Sequence, residues 1–295
     1  MAVGVAPMTL GEERQQQRNP RGEQLIPWLE LNIADDEAVN KMLEGLLEWR
    51  KITDTAIVSV APGNAWFFRE LKKPLPDMKI IAGLKTSPVF RRRPIDTVED
   101  WKRVGEEIRA LAEATGIKRV ALENESATKA YVFKGAYKID ERKLREGLRH
   151  LPDDIEILWY PSAGGAGEVL ERYLVICRAL QAECNVRFID HSSFYYKHSW
   201  GKPGTVHVAD KLEEIARKPT LPMIYTCAGP RYEPDNLDEG IALAKGKWGP
   251  HTEIVIYTGA TRWVEHGKKV AENRLGEEAA RVRQERSRKG DENER

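Results

Sequence analysis

Eight short apolar runs recur along the sequence, and most are followed by a segment with helical periodicity. The runs are Ile26–Ile33, Ala56–Val60, Lys79–Leu84, Arg119–Leu122, Ile155–Tyr160, Val186–Ile189, Leu221–Tyr225 and Glu253–Tyr257. Strands that alternate with helices pair in parallel through crossover helices. Eight such units in one chain of 295 residues match an α/β fold of one kind, a single (β/α)8 TIM barrel, better than an open sheet. No Gly-x-Gly-x-x-Gly follows the first strand, and no Gly-x-x-x-x-Gly-Lys-Ser/Thr is present. Both absences count against dinucleotide and P-loop folds.

The helical segments carry their own punctuation. Asp36 to Trp49 starts acidic, and a segment from Asp96 or Thr97 to Thr115 opens on capping residues and closes at Gly116. Asp140 opens the next helix, and Gly167 to Glu183 and His207 to Lys218 are amphipathic. Asn236 to Lys245 is shorter. Ala65 to Leu71 reads as a weak helix, because Pro74 and Pro76 follow closely. The expected organisation is an N-terminal extension over 1–23, a barrel over 24–280, and a charged, disordered tail over 281–295.

Composition narrows the partners. The formal net charge is +1, which argues against a protein built to coat nucleic acid or an anionic membrane. No apolar run approaches the roughly 18–20 residues of a bilayer span. Met1 to Glu23 lacks an apolar signal core, so a cytoplasmic location is expected. Cys177, Cys184 and Cys227 are too few and too scattered for a disulfide framework or a zinc site. Buried thiols of a reducing compartment fit them better.

Val120-Ala121-Leu122-Glu123-Asn124-Glu125-Ser126 is the segment richest in chemistry. It is an apolar strand that ends in two carboxylates one residue apart. Side chains alternate along a strand, so Glu123 and Glu125 share a face. In a barrel of this kind the site lies at the C-terminal ends of the strands. Those ends supply Glu30 and Asn32, Asn64 and Trp66, Lys85 and Ser87, Glu123 to Glu125, Trp159 and Tyr160, Asp190 and His191, Tyr225, and finally Tyr257, Arg262 and Trp263. The loop after strand seven adds Arg231, Tyr232 and Glu233.

Carboxylates and rings together suit glycoside cleavage. That reaction needs one carboxyl as acid and another as base or nucleophile. Sugars present apolar C–H faces to rings and hydroxyls to polar partners. Glu125 is the expected general acid, because like-charge repulsion from Glu123 favours its protonated form. Asp190 is the first choice for the second carboxylate, with Glu233 and Glu30 as rivals. Asn124, Tyr160, His191, Tyr225, Tyr257, Trp263, Lys85 and Glu30 are the expected substrate-binding residues. No cofactor and no metal is required, and the expected partner is a carbohydrate rather than a nucleic acid or a membrane.

Asn124-Glu125 at the end of a fourth strand resembles the Asn-Glu of the large clan of retaining (β/α)8 glycosidases, which implies that this Glu is the acid/base. That clan's nucleophile is a Glu ending strand seven, where this chain has Tyr225-Thr226-Cys227. Glu123-x-Glu125, together with Trp263 at the eighth strand, is similar to family 18 chitinases and the related endo-N-acetylglucosaminidases. Asp190 falls on strand six, where that family carries polar site residues. The chitinase pattern has Asp where this chain has Glu123.

Other uses of these residues stay open. Glu123 and Glu125 could be ion-paired with Lys118, Arg119 or Lys129. The aromatic loop Phe194–Trp200 could be a substrate platform or a subunit contact, and the second use would make the chain a homo-oligomer. Trp159 alternates with Tyr160 and belongs to the core, and Trp49 and Trp101 are packing residues on helices. Asp190, His191, Glu123, Glu125 and His198 could hold a divalent metal in an isomerase or hydrolase barrel. Lys85 could form a Schiff base in a lyase. A non-catalytic carbohydrate- or single-strand-binding barrel would use the aromatic loop.

Overall fold

The computed structural model describes residues 24–31, 35–60, 65–85, 97–123, 140–160, 168–190, 208–225, 237–257, 267–268, 270–272 and 276. For Lys85, Glu123, Tyr160, Asp190 and Tyr225 the description covers the backbone. The strands are β1 (Gln24–Leu31), β2 (Thr55–Val60), β3 (Lys79–Lys85), β4 (Arg119–Glu123), β5 (Glu156–Tyr160), β6 (Val186–Asp190), β7 (Leu221–Tyr225) and β8 (Glu253–Tyr257). They pair in sequence order, all parallel, and β1 pairs β8 to close the barrel. The chain is a single (β/α)8 barrel.

Helices follow the strands: α1 (Asp36–Trp49), α2 (Ala65–Lys72), α3 (Val98–Thr115), α4 (Glu141–Leu148), α5 (Glu168–Glu183), α6 (Val208–Ile215) and α7 (Leu237–Trp248). Their limits follow local chemistry. Asp35 caps α1 by accepting a hydrogen bond from the Ala38 amide at 2.8 Å. Thr97 caps α3 through the Asp100 amide, and α3 ends at Gly116 with φ 70°, a left-handed conformation that glycine adopts without steric penalty. Asp140 caps α4.

The weak reading of the second helix is overridden by packing. α2 forms over eight residues and buries Phe67, Phe68 and Leu71. Each fully buried large apolar side chain contributes roughly 1.5–3 kcal/mol, more than the loss from a short helix with prolines beyond its end. Trp66, expected among the strand-end residues, is the second residue of α2 and packs against the layer between strands and helices.

Alternation divides every strand between two cores. The interior of the barrel is filled by Ile26, Trp28, Ile57, Ile81, Ala121, Leu158, Ile189, Leu221, Met223 and Val255. The other parity, among it Val58, Leu122, Trp159 and Phe188, packs against the helices. Trp49, Trp101 and Trp159 are buried in that outer layer, with the rings of Trp101 and Trp159 6.4 Å apart. α3 and α4 approach closely through two glycines. A Cβ on Gly105 would overlap the His150 carbonyl, and one on Gly147 would overlap the Trp101 ring.

Candidate active site at the C-terminal mouth

The interior parity at the C-terminal end gathers residues from most of the strands. On β1 it runs Ile26, Trp28, Glu30, and on β8 it runs Val255, Tyr257. The Tyr257 hydroxyl donates a 2.7 Å hydrogen bond to Glu30 Oε2. Glu30 is a carboxylate only 8 % exposed. Tyr257 also packs edge-on against Trp28, with ring centroids 5.9 Å apart and planes at 81°. A layer below, the Trp28 indole donates to Ser59 Oγ at 2.8 Å. Ser59 stands opposite Gly83 in the β2–β3 register, and a Cβ at Gly83 would overlap Ser59 Oγ. The sheet therefore needs glycine there.

Backbone register completes the mouth. Lys85 pairs with Glu123, and Glu123 pairs with Tyr160. All three positions continue the interior parity of Ile81, Ala121 and Leu158. Tyr225 pairs with Tyr257 and continues the interior parity of Met223. Position 190 differs. Ile189 belongs to the interior set, so Asp190 takes the alternate parity, that of Phe188. The β6–β7 register pairs it with Pro222. Asn124, Glu125, His191, Glu233 and Trp263 lie outside the described residues, as do Cys227, Asn32, Asn64 and the aromatic loop.

The opposite mouth is built from charge, and sequence reasoning missed it. Arg119 Nε donates to Glu156 Oε2 at 2.9 Å, and its Nη1 and Nη2 donate to Glu253 at 2.8 and 3.2 Å. Arg187 also binds Glu253, and it donates from Nε to the Pro219 carbonyl at 2.8 Å. Lys218 Nζ joins Glu156 to Asn185 at 2.7 and 2.6 Å. Burial pushes the Glu253 carboxyl up, but the hydrogen bonds and charges of Arg119 and Arg187 outweigh it and hold the group below its usual range. Arg119 thus serves this network at the start of β4, and Lys118 pairs with Asp154. Lys129 lies outside the described residues. The signal available in sequence was inward parity: Arg119, Glu156, Arg187 and Glu253 each lie two positions before an interior apolar residue, Ala121, Leu158, Ile189 and Val255.

Among the described residues, no group of His, Cys, Asp and Glu is placed to hold a metal ion, and no helix is long and apolar enough to cross a membrane. Cys177 and Cys184 are free thiols whose pKa values burial pushes up to about 12, so they are poor nucleophiles at neutral pH.

No protein-family model matches the sequence, and no curated protein sequence does. Solved structures match the fold. A chain from Toxoplasma gondii ME49 assigned as a deoxyribose-phosphate aldolase has a TM-score of 0.54 at 12% identity, covering 90% of this chain and 99% of that one. A truncated 3-deoxy-D-arabino-heptulosonate 7-phosphate synthase from Thermotoga maritima has a TM-score of 0.46 at 8% identity, with 88% of each chain covered. A family 18 chitinase from Crocus vernus has a TM-score of 0.45 at 10% identity, covering 87% of this chain and 98% of that one. At such identities the likeness is one of fold, since one barrel hosts many chemistries.

Proposed function

We propose that this chain is a glycoside hydrolase whose chemistry sits at the C-terminal mouth of the barrel. The observation that carries this reading is Glu30: a buried carboxylate held by the Tyr257 phenol at 2.7 Å, on the mouth toward which Glu123 also has inward parity. Glu125, two residues beyond Glu123 in the sequence, is the general acid and protonates the leaving oxygen. Glu30 is the second carboxylate, acting as base or nucleophile. The parity of position 190 favours Glu30 over Asp190 in that role. Tyr160, Tyr225 and Trp263 would give the sugar's C–H faces apolar contacts, and Asn124, His191 and Lys85 would bind its hydroxyls.

A panel of chromogenic glycosides and polysaccharides tests the reading, using the wild type with Glu125→Gln, Glu30→Gln and Asp190→Asn. The first two variants should lose roughly 10²–10⁴-fold in kcat while still binding the substrate. Full activity in Glu125→Gln would remove the assignment. Loss in Asp190→Asn with none in Glu30→Gln would return the second role to Asp190.

A second reading rests on the register pair Lys85–Glu123. A lysine of inward parity beside a carboxylate position suits Schiff-base chemistry on a carbonyl substrate. Borohydride trapping with small aldehydes and ketones separates the two readings, and an unlabelled Lys85 would dismiss this one.

A further inference from the structure

Glu30 is aimed by a run of contacts that begins two strands away. The contacts run from β3 to β2 to β1 to β8 and back to β1. Gly83 leaves the room that the Ser59 side chain occupies. Ser59 Oγ, fully buried, accepts the Trp28 indole hydrogen at 2.8 Å. That bond fixes the rotation of a ring that is only 1 % exposed. Trp28 meets the Tyr257 ring edge-on at 5.9 Å and 81°, and Tyr257 donates to Glu30 at 2.7 Å. Each link is directional: an overlap, a hydrogen bond, a ring geometry, then a hydrogen bond. Simple space-filling in a barrel interior needs only apolar bulk, as Ile57, Ile81 and Val255 supply a layer away.

We infer that Ser59 and Tyr257 are positioning residues for Glu30, with Trp28 as the rigid link between them. The inference rests on the reading of Glu30 as a working carboxylate, but its central measurement needs no substrate. The full chain is treated with a water-soluble carbodiimide and glycinamide, and the rate of amide formation at Glu30 is followed by peptide mass. Glu37, exposed on α1, serves as the internal control. Tyr257→Phe removes one hydroxyl and should raise the Glu30 rate several-fold with the Glu37 rate unchanged. Ser59→Ala should raise it less, in the same direction. The double variant should react no faster than Tyr257→Phe alone, because Ser59 acts through Tyr257. Trp28→Phe keeps a ring but removes the indole donor, and it should match or exceed Ser59→Ala.

A Glu30 rate that stays at the wild-type value in Ser59→Ala, or strictly additive effects in the double variant, would overturn the inference. On whichever glycoside is turned over, Ser59→Ala should lower kcat about tenfold and leave KM within twofold, the sign of an interaction felt in the transition state. If labelling behaves as expected and no glycoside is cleaved, the positioning network stands and the hydrolase reading falls.

Discussion

The two mouths of the barrel carry ionisable side chains in different ways. At the N-terminal mouth, two glutamates are shared among two arginines and a lysine, with opposite charges in contact throughout. At the C-terminal mouth, Glu30 accepts a hydrogen bond from the Tyr257 hydroxyl, and a second acid, Glu123, follows on β4. The first arrangement satisfies charge with charge and holds β4, β5, β6 and β8 together. The second sets a buried carboxylate against an aromatic hydroxyl, on the mouth where Lys85, Glu123 and Tyr160 share the interior parity. In barrels of this kind the N-terminal face serves stability and the C-terminal face serves chemistry, and the contrast in pairing follows that division.

The division of labour between the two mouths makes measurable demands. The largest effect should come from Glu125→Gln, with kcat down roughly 10²–10⁴-fold and the unfolding midpoint in urea unmoved. A stability loss equal to that of an N-terminal substitution would erase the division. Gly83→Ala comes next. Its Cβ would overlap Ser59, so it should cost roughly 1–3 kcal/mol by overpacking, read from denaturant unfolding.

Glu253→Gln should behave in the opposite way to Glu125→Gln. It strips the shared acid from Arg119 and Arg187 and should cost about 1–2 kcal/mol at neutral pH, with turnover within twofold. The pH dependence has a definite sign. A carboxyl held below its ordinary value of 4.5 contributes its stability fully above that value and loses it as the pH falls through the folded-state pKa. The gap between wild type and Glu253→Gln should therefore close as the pH drops below 4.5; a gap that widens would refute the pairing. The smallest effect belongs to neither mouth. Thr97→Ala removes the cap of α3 and should cost about 1 kcal/mol, with activity unchanged.

Much of the barrel is legible in the sequence. Alternation of apolar runs with capped helices gave the architecture, because caps and glycine stops are local chemistry. Thr97 and Gly116 bound α3 in the structure as in the sequence. The site was legible only in part. Glu123 at a strand end follows from the β4 pattern, but its neighbours Lys85 and Tyr160 follow from register between strands, which no single segment encodes. Glu30 and Tyr257 lie 227 positions apart, joined only when the barrel closes. Position 190 illustrates another limit. Strands of a parallel sheet are apolar on both faces, so Phe188-Ile189-Asp190 does not announce which residue faces inward. Only the packing of Ile189 with Leu221 and Met223 decides it.

The charged mouth has a consequence for how the barrel stays shut. Among the described residues β6 meets β7 through Ile189 with Leu221 and Asp190 with Pro222. Arg187 spans that seam, holding the Pro219 carbonyl before β7 and Glu253 on β8 beyond it. A barrel whose β6–β7 seam is spanned by an ionic clasp has a fastening there that depends on the electrolyte around it. Amide exchange along β7 should quicken as salt is raised towards 1 M, where the screening length falls to about 3 Å, while β2 and β3 stay protected.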